Sequence, residues 1–217
     1  MKFIRQEREN AKKGIVKNPN TVSLVVWWEF LERSSWDDVV PLIWKQATLY
    51  PQIKACVGFA EMYLLNARFE EAQAAASLAV HMADEWVQQN PEKAREALRV
   101  RKAEPSWRFK SKPLPQNADM NDVHEEIERG WSLGMALAEV DGGLMTQWRN
   151  AHLAVALVEE VMTRREEGRL EWPLPSPPQE QPVGIAEAPF NLRFAQRIGM
   201  TEKQFDGLLR RVTKLNI

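Results

Sequence analysis

The chain has 217 residues, of which 44% are hydrophobic and 27% are charged, with a formal net charge of -1. This length and apolar content suit one large domain, alone or with a small appendage. The balanced charge excludes a global field that attracts nucleic acid or membranes, so such contacts would need a local patch. The single cysteine, Cys56, excludes an intrachain disulfide and a cysteine-based zinc site. Since no signal-peptide core and no run of 18 apolar residues occurs either, we expect a cytoplasmic protein that makes no membrane contact.

Residues 1–20 read as a basic N-terminal arm that ends at the chain-breaking Asn18-Pro19-Asn20. Six lysines and arginines stand in this arm against two glutamates. A solvated tail is the simpler interpretation, and a contact with nucleic acid is the alternative.

Two helical hairpins are predicted in the following segment. An apolar helix follows Thr21, and a second helix, with Ser35 as its N-cap, is expected to end at Tyr50-Pro51. The second hairpin runs from Gln52 and turns tightly at Asn66-Ala67-Arg68. Helix pairs of this kind stack, because neither pair can bury its apolar face alone.

The two hairpins repeat each other at a fixed offset. Trp36 and Phe69 are 33 residues apart, and so are Val39 and Ala72. A period of this length is typical of helical repeat proteins.

A family resemblance follows from these residues, over residues 21–85. The pattern of small and aromatic residues resembles a tetratricopeptide repeat, and its residues are Ala60, Tyr63, Phe69, Ala72, Ala76 and Ala79. The stretch Ser35-Trp36-Asp37-Asp38-Val39, followed by Pro51, resembles the second helix and closing proline of another repeat. The resemblance implies stacked hairpins whose concave face binds another protein. On that basis we expect a protein-binding groove built around Trp27, Trp44 and Tyr63. The sequence departs from the family pattern at Trp27 and Val39, where smaller residues are usual, and a plain helical bundle is the alternative.

A basic stretch with interleaved aromatic residues covers 93–112. Because cations neutralise phosphates and aromatic rings stack on bases, it is a candidate nucleic-acid contact. The candidate residues are Arg99, Arg101, Lys102, Trp107, Arg108 and Lys110. A solvated loop is the alternative, since several prolines follow.

Two long helices are predicted next, joined at Asp141-Gly142-Gly143, the second running from about Leu144 to Glu167 and ending at Gly168. We therefore expect an all-α fold of tandem hairpins packed with a long helical pair and a small C-terminal hairpin. The predicted division is an arm (1–20), a helical domain (21–168), a proline-rich linker (169–189) and a C-terminal helical hairpin (190–217). A strap across the helical body is the alternative for the linker.

The C-terminal hairpin weakly resembles a helix-turn-helix motif. Ala195 and Gly199 stand among apolar residues, and Thr201 is a suitable N-cap for the second helix. The resemblance implies that Glu202, Lys203, Gln204 and Asp206 face bases and that Arg210, Arg211 and Lys214 contact phosphates. Glu202 and Asp206 would meet a negative DNA surface, and the third helix that a stand-alone motif needs is not visible. A hairpin that docks on protein is the alternative.

No catalytic motif is present, so we expect no enzyme, no cofactor and no metal. His124 and Glu128 lie one turn apart, and together with His152 they could form a two-helix metal site. A core histidine beside a solvated glutamate face is the simpler interpretation, because the paired Glu-x-x-His pattern of di-iron bundles is missing.

The leading hypothesis is therefore a non-enzymatic helical scaffold or adaptor that binds another protein. The alternative is a nucleic-acid-binding protein, either a DNA-binding regulator or a subunit of a nucleoprotein complex, that uses the C-terminal segment and the 93–112 stretch. A metal-dependent helical enzyme is the third.

Overall fold

The computed structural model describes residues 34–45, 48–103, 139–172, 174 and 190–212. Regular structure in these ranges is helical, with no β-strand among them, which confirms the predicted all-α class. The helices are α1 (Trp36–Trp44), α2 (Leu49–Leu65), α3 (Phe69–Gln89), α4 (Pro91–Ala103), α5 (Leu144–Glu166), α6 (Leu192–Arg197) and α7 (Glu202–Val212). Within the described part of the chain, no helix has both the length and the apolarity that crossing a bilayer requires.

The start of α1 matches the predicted N-cap. Ser35 Oγ accepts a hydrogen bond from the Asp38 backbone N–H at 3.3 Å, and the Asp38 carboxylate accepts one from the Ser35 N–H at 2.9 Å. This reciprocal pair satisfies two backbone donors that the first turn of a helix leaves without intrahelical partners.

The end of α1 differs from the prediction. We expected a helix that continues to Tyr50, but α1 ends at Trp44 and α2 already begins at Leu49. Pro51 therefore lies inside the first turn of α2 and does not end a helix. A proline is tolerated there because the N–H that it lacks would have no intrahelical partner anyway.

The helices α2 and α3 form a hairpin across the predicted turn. Ala67 takes a left-handed conformation (φ 59), and the Arg68 N–H donates to the Tyr63 carbonyl at 2.9 Å. The guanidinium of Arg68 also donates to the Ser34 carbonyl, which attaches the segment before α1 to this turn.

The turn before α5 is also where the sequence predicts it. Gly142 and Gly143 have positive φ values of 64 and 78. The buried Asp141 carboxylate accepts hydrogen bonds from the backbone N–H groups of Gly143 and Met145, at 2.7 and 2.8 Å. A carboxylate at this position favours the start of α5, because it also lies at the positive end of the helix dipole.

The core lies where α5 packs against both α2 and α3. Small side chains allow this close approach: the fully buried residues of α3 are alanines at positions 72, 75, 76 and 79, and α5 contributes Ala151 and Ala154. Larger side chains such as Ile53, Leu64 and Leu157 fill the space between them. α5 therefore covers the α2–α3 hairpin.

The two residues that defined the repeat have different aromatic partners. Trp36 meets Tyr63 edge-on, with 6.2 Å between ring centroids. Phe69 meets Trp172 edge-on at 5.2 Å and lies below the Arg165 guanidinium, which is 4.3 Å from the ring centroid. The tetratricopeptide-like arrangement therefore stays a prediction, while the α2–α3 hairpin itself is observed.

The first residues of the predicted linker pack on the helical body. Leu170 and Trp172 contact the core, and Leu174 is buried. The helices α6 and α7 contribute to the same core, since Phe194 of α6 and Phe205 and Leu208 of α7 are buried in it. The C-terminal hairpin of the described chain is therefore packed on the body, chiefly through α7 and α5. Residues 173 and 175–189 of the predicted linker lie outside the described ranges.

The alanine contacts of α3 predict a steep cost for added volume. Replacing Ala76 by leucine should lower the free energy of unfolding by about 1–3 kcal/mol, because a close-packed interface has no room for the side chain. Ser77→Leu, at the exposed neighbouring position on the same helix, should change it by less than about 0.5 kcal/mol. Urea unfolding followed by circular dichroism measures both, and equal effects would contradict the described packing of α3.

Candidate nucleic-acid interface

The turn between α6 and α7 is fixed by backbone geometry. Gly199 has φ 78, its N–H donates to the Gln196 carbonyl at 2.9 Å, and the Met200 N–H donates to the Ala195 carbonyl at 2.9 Å. These two bonds form a Schellman motif, which ends a helix with a left-handed residue. Glycine adopts that conformation without the steric cost that a Cβ atom brings. The chain therefore reverses direction sharply after α6.

Side chains then define where each helix begins. The Asn191 side chain accepts from the Phe194 N–H at 3.0 Å and caps α6. Thr201 Oγ1 accepts from the Gln204 N–H at 3.3 Å, and Gln204 Oε1 accepts from the Thr201 N–H at 2.8 Å. The predicted N-cap at Thr201 is thus present as a full capping box.

The apolar residues of the motif all point inward. The six that are buried in this segment after Phe190 are Phe194, Ala195, Ile198, Met200, Phe205 and Leu208. Ala195 is small enough for α7 to pack closely across α6, and Phe205 and Leu208 give α7 one buried face. Together with the glycine turn, this spacing is what the resemblance to a helix-turn-helix implies.

A third helix supports this pair, and it is α5. Arg164, near the end of α5, is buried; its Nη1 donates to the Ile198 carbonyl at 2.9 Å, and its Nε donates to Glu160 Oε1 at 2.6 Å. A Cβ atom added at Gly199 would lie 3.2 Å from Arg164 Nη1. The arginine therefore holds the turn against the helical body. Sequence reasoning missed it, because nothing local marks Arg164 as different from the exposed Arg165 beside it.

The opposite face of α7 is open to solvent. Glu202, Lys203, Gln204, Gly207, Arg210 and Arg211 are exposed, and Asp206 is partly exposed. A shallow depression of about 550 Å³ is lined by Glu202, Lys203, Asp206, Gly207 and Arg210. The structure thus brings together Lys203 and Arg210 from the predicted interface, and Arg211 is exposed on the same helix. Lys214 lies outside the described residues.

Two further cations belong to the same unit. Arg193 and Arg197 are partly exposed on α6, and the sequence prediction did not include them. Residues 190–212 contain five lysines and arginines and two carboxylates, whereas the formal net charge of the whole chain is -1. The hairpin is therefore a local basic region, as any nucleic-acid contact of this near-neutral protein would require.

The other predicted nucleic-acid residues are separate from this hairpin in the sequence and partly outside the described ranges. Arg99 is exposed on α4 and forms an ion pair with Glu96 at 3.0 Å. Arg101 and Lys102 belong to the last turn of α4. Trp107, Arg108 and Lys110 lie outside the described residues.

The predicted protein-binding groove needs a correction. Tyr63 is completely buried, with Trp36 against its ring and the Arg68 guanidinium 5.0 Å from its centroid, so it cannot contact a partner on the surface. Trp44, at the end of α1, is 52% exposed and is therefore accessible. Trp27 lies outside the described residues.

A polar cluster connects α3 to α5. Asp84 Oδ1 accepts from Trp148 Nε1 at 2.7 Å and lies 2.8 Å from His152 Nε2, and the Trp148 and His152 ring centroids are 4.4 Å apart. The ring nitrogen that faces Asp84 carries the hydrogen, since a carboxylate only accepts. This cluster gives His152 a structural partner on α3.

The remaining candidate groups are the metal-ligating side chains and the Cys56 thiol. No three histidine, cysteine or acidic side chains of the described ranges are grouped to hold a metal ion. His124 and Glu128, from the metal site considered above, lie outside those ranges. Burial raises the pKa of the Cys56 thiol to about 12, so that it stays protonated and weakly nucleophilic at neutral pH.

Comparison with known proteins gives no match to a family model, to a curated protein or to a solved structure.

The turn predicts opposite effects for two glycines. Gly199→Ala should lower the free energy of unfolding by about 1–3 kcal/mol, because alanine at φ 78 is strained and its Cβ crowds Arg164. Gly207→Ala should raise it by up to about 1 kcal/mol, because Gly207 is inside α7 and no atom lies within 4 Å of the added Cβ. Thermal and urea unfolding measure both variants, and a stabilising Gly199→Ala would contradict the left-handed turn.

Proposed function

We propose that the protein binds double-stranded DNA through α7, as a DNA-binding regulator or as a subunit of a nucleoprotein complex. The observation that supports this most is the hydrogen-bonded and capped α6–α7 turn, which presents the polar face of α7 outward while its apolar face is buried. An α-helix with its side chains is about 10–12 Å wide, and the major groove of B-DNA is about 12 Å wide. A helix held this way has the dimensions to enter that groove.

The distribution of charge supports the same proposal. Lys203, Arg210 and Arg211 extend along the exposed side of α7, while Arg193 and Arg197 lie on α6. A helix in the major groove has phosphates on both sides, so cations at its end and on the preceding helix are placed to neutralise them. Arginine suits this role because its planar guanidinium donates two parallel hydrogen bonds to a phosphate.

Anchoring by α5 gives the hairpin the stability that reading a groove requires. A helix pair of this length would be marginal in isolation, since short helices depend on tertiary packing. Arg164 and the buried side chains of α6 and α7 hold the pair on the helical body, with which they share one core. The body would thus act as the support, and as the part that contacts other subunits in a nucleoprotein complex.

Removing two arginines of α7 should weaken duplex binding in a salt-dependent way. For Arg210→Ala with Arg211→Ala, we expect the slope of log K against log salt to become shallower by about 1.8, at ~0.9 per lost phosphate contact. Fluorescence anisotropy with a labelled mixed-sequence duplex, at several salt concentrations, measures this slope for the full chain.

The matched control removes two arginines from α4. Arg95 and Arg99 are exposed on that helix and form ion pairs with Glu92 and Glu96. The double variant Arg95→Ala with Arg99→Ala changes the net charge equally and should leave the slope unchanged. An equal loss in both double variants would point to a nonspecific charge effect, and a loss in the α4 variant alone would place the contact in the 93–112 stretch.

A second candidate function rests on Trp44. We propose that this exposed ring is an anchor for another protein, because tryptophan buries a large area on binding and is enriched at interface centres. It is the large hydrophobic side chain that stands out as exposed in the described part of the chain. The adaptor hypothesis then depends on the end of α1 and no longer on Tyr63.

Affinity purification with nuclease treatment distinguishes the two functions. A protein captured by the full chain after nuclease treatment, and lost with Trp44→Ala, would support the adaptor function. The double variant Arg210→Ala with Arg211→Ala should still capture that protein. As a control for folding, Trp44→Ala and the double variant should both have the wild-type circular dichroism spectrum. Mass spectrometry of the captured material gives the readout, and retention by Trp44→Ala would exclude Trp44 as the anchor.

A further inference from the structure

Two carboxylates interrupt the basic face of α7. Glu202 is exposed in the first turn, and Asp206 follows it one turn later and is partly exposed. Both line the same depression as Lys203 and Arg210. They therefore lie on the face that the proposed function turns toward DNA, where contact with a phosphate would be repulsive.

Chemistry limits what a carboxylate can contact in a major groove. An ionised carboxylate only accepts hydrogen bonds, and phosphate oxygens, guanine O6 and N7, and thymine O4 are also acceptors. The donors on base edges are the amino groups of cytosine and adenine. The adenine amino group stands beside the acceptor N7, which repels the second carboxylate oxygen, whereas the cytosine amino group stands beside a C–H. A carboxylate in this groove therefore favours cytosine.

We infer, on the basis of the proposed function, that Glu202 and Asp206 are specificity residues that accept hydrogen bonds from the N4 amino groups of cytosines in the bound duplex. Residues one turn apart on a helix are separated by about 6 Å along its axis. Base pairs of B-DNA are about 3.4 Å apart. The two cytosines are then one or two base steps apart in the preferred site.

The same carboxylates disfavour sequences without those cytosines. Where no amino group faces Glu202 or Asp206, binding brings the carboxylate next to acceptor atoms of the bases, and the affinity for the duplex is lower. Affinity for a duplex of any sequence comes from Lys203, Arg210 and Arg211. The two carboxylates then lower the affinity for duplexes that lack the cytosines. The two carboxylates on a DNA-facing helix thus discriminate between duplexes of different sequence.

A selection from a randomised duplex library tests the inference with the full chain. Bound duplexes are sequenced for the wild type, Glu202→Gln and Asp206→Asn. The wild type should enrich cytosine at two positions, and each amide variant should shift one position toward adenine, since glutamine and asparagine pair with the adenine N6 and N7 atoms. In anisotropy, replacing either cytosine of the selected site should weaken wild-type binding about fivefold or more.

Glu70→Gln is the matched control. Glu70 is exposed in the first turn of α3, as Glu202 is in the first turn of α7, so both substitutions remove a carboxylate from a helix N-terminus. The control should select the wild-type site. Melting temperatures within about 2 °C of the wild type show that the fold of each variant is retained.

The outcomes separate the inference from the function on which it rests. Two results would overturn the inference and leave DNA binding in place. In the first, the wild type enriches sites without cytosine; in the second, Glu202→Gln and Asp206→Asn both select the wild-type site. A library in which no sequence is enriched, and in which anisotropy detects no duplex binding, would overturn both. A paired shift from cytosine to adenine would support both.

Discussion

The close approach of α5 to the α2–α3 hairpin is the contact on which the rest of the described structure depends. Alanines at the buried positions of α3 and α5 let the helix backbones come near, and larger residues of α2 and α5 fill the remaining space. The gain is mainly the removal of apolar surface from water, roughly 25 cal/mol per Å². Because dense packing tolerates little added volume, the same alanines also fix the positions of the helices relative to one another.

Once α5 is placed, its C-terminal part determines where the last two helices lie. Arg164 reaches the carbonyl at the end of α6, and Phe205 and Leu208 of α7 are buried in the shared core. A buried arginine is costly unless its donors are satisfied, and the ion pair with Glu160 and the bond to the Ile198 carbonyl both offset that cost. The glycine turn and the arginine that holds it are therefore one structural unit, although they come from distant parts of the sequence.

This arrangement connects the core to the proposed function. A helix that reads DNA must be held rigidly, because small displacements lose directional hydrogen bonds. α7 has its apolar face buried, its N-terminus capped and its preceding turn anchored. Its outward face combines cations that suit phosphates with two carboxylates that suit amino groups, so that affinity and selectivity would come from different residues of one helix. The burial of Tyr63, in contrast, removes this residue from the predicted protein-binding groove, whereas Trp44 is accessible.

Features that depend on neighbouring residues could be predicted from the sequence. Apolar spacing gave the all-α class, and the caps at Ser35 and Thr201 and the turns at Asn66, Gly142 and Gly199 were readable because the bonds that form them span only a few positions. Features that depend on distant residues required the folded chain: the burial of Tyr63, the pairing of Asp84 with His152, and the support of the Gly199 turn by Arg164. The start of α2 before Pro51 also required the folded chain. A proline is compatible both with the end of a helix and with the first turn of a new one, so the sequence did not distinguish the two. These features depend on which helix faces pack against each other. A local sequence pattern identifies the residues of an apolar face, but it does not identify the helix that covers that face.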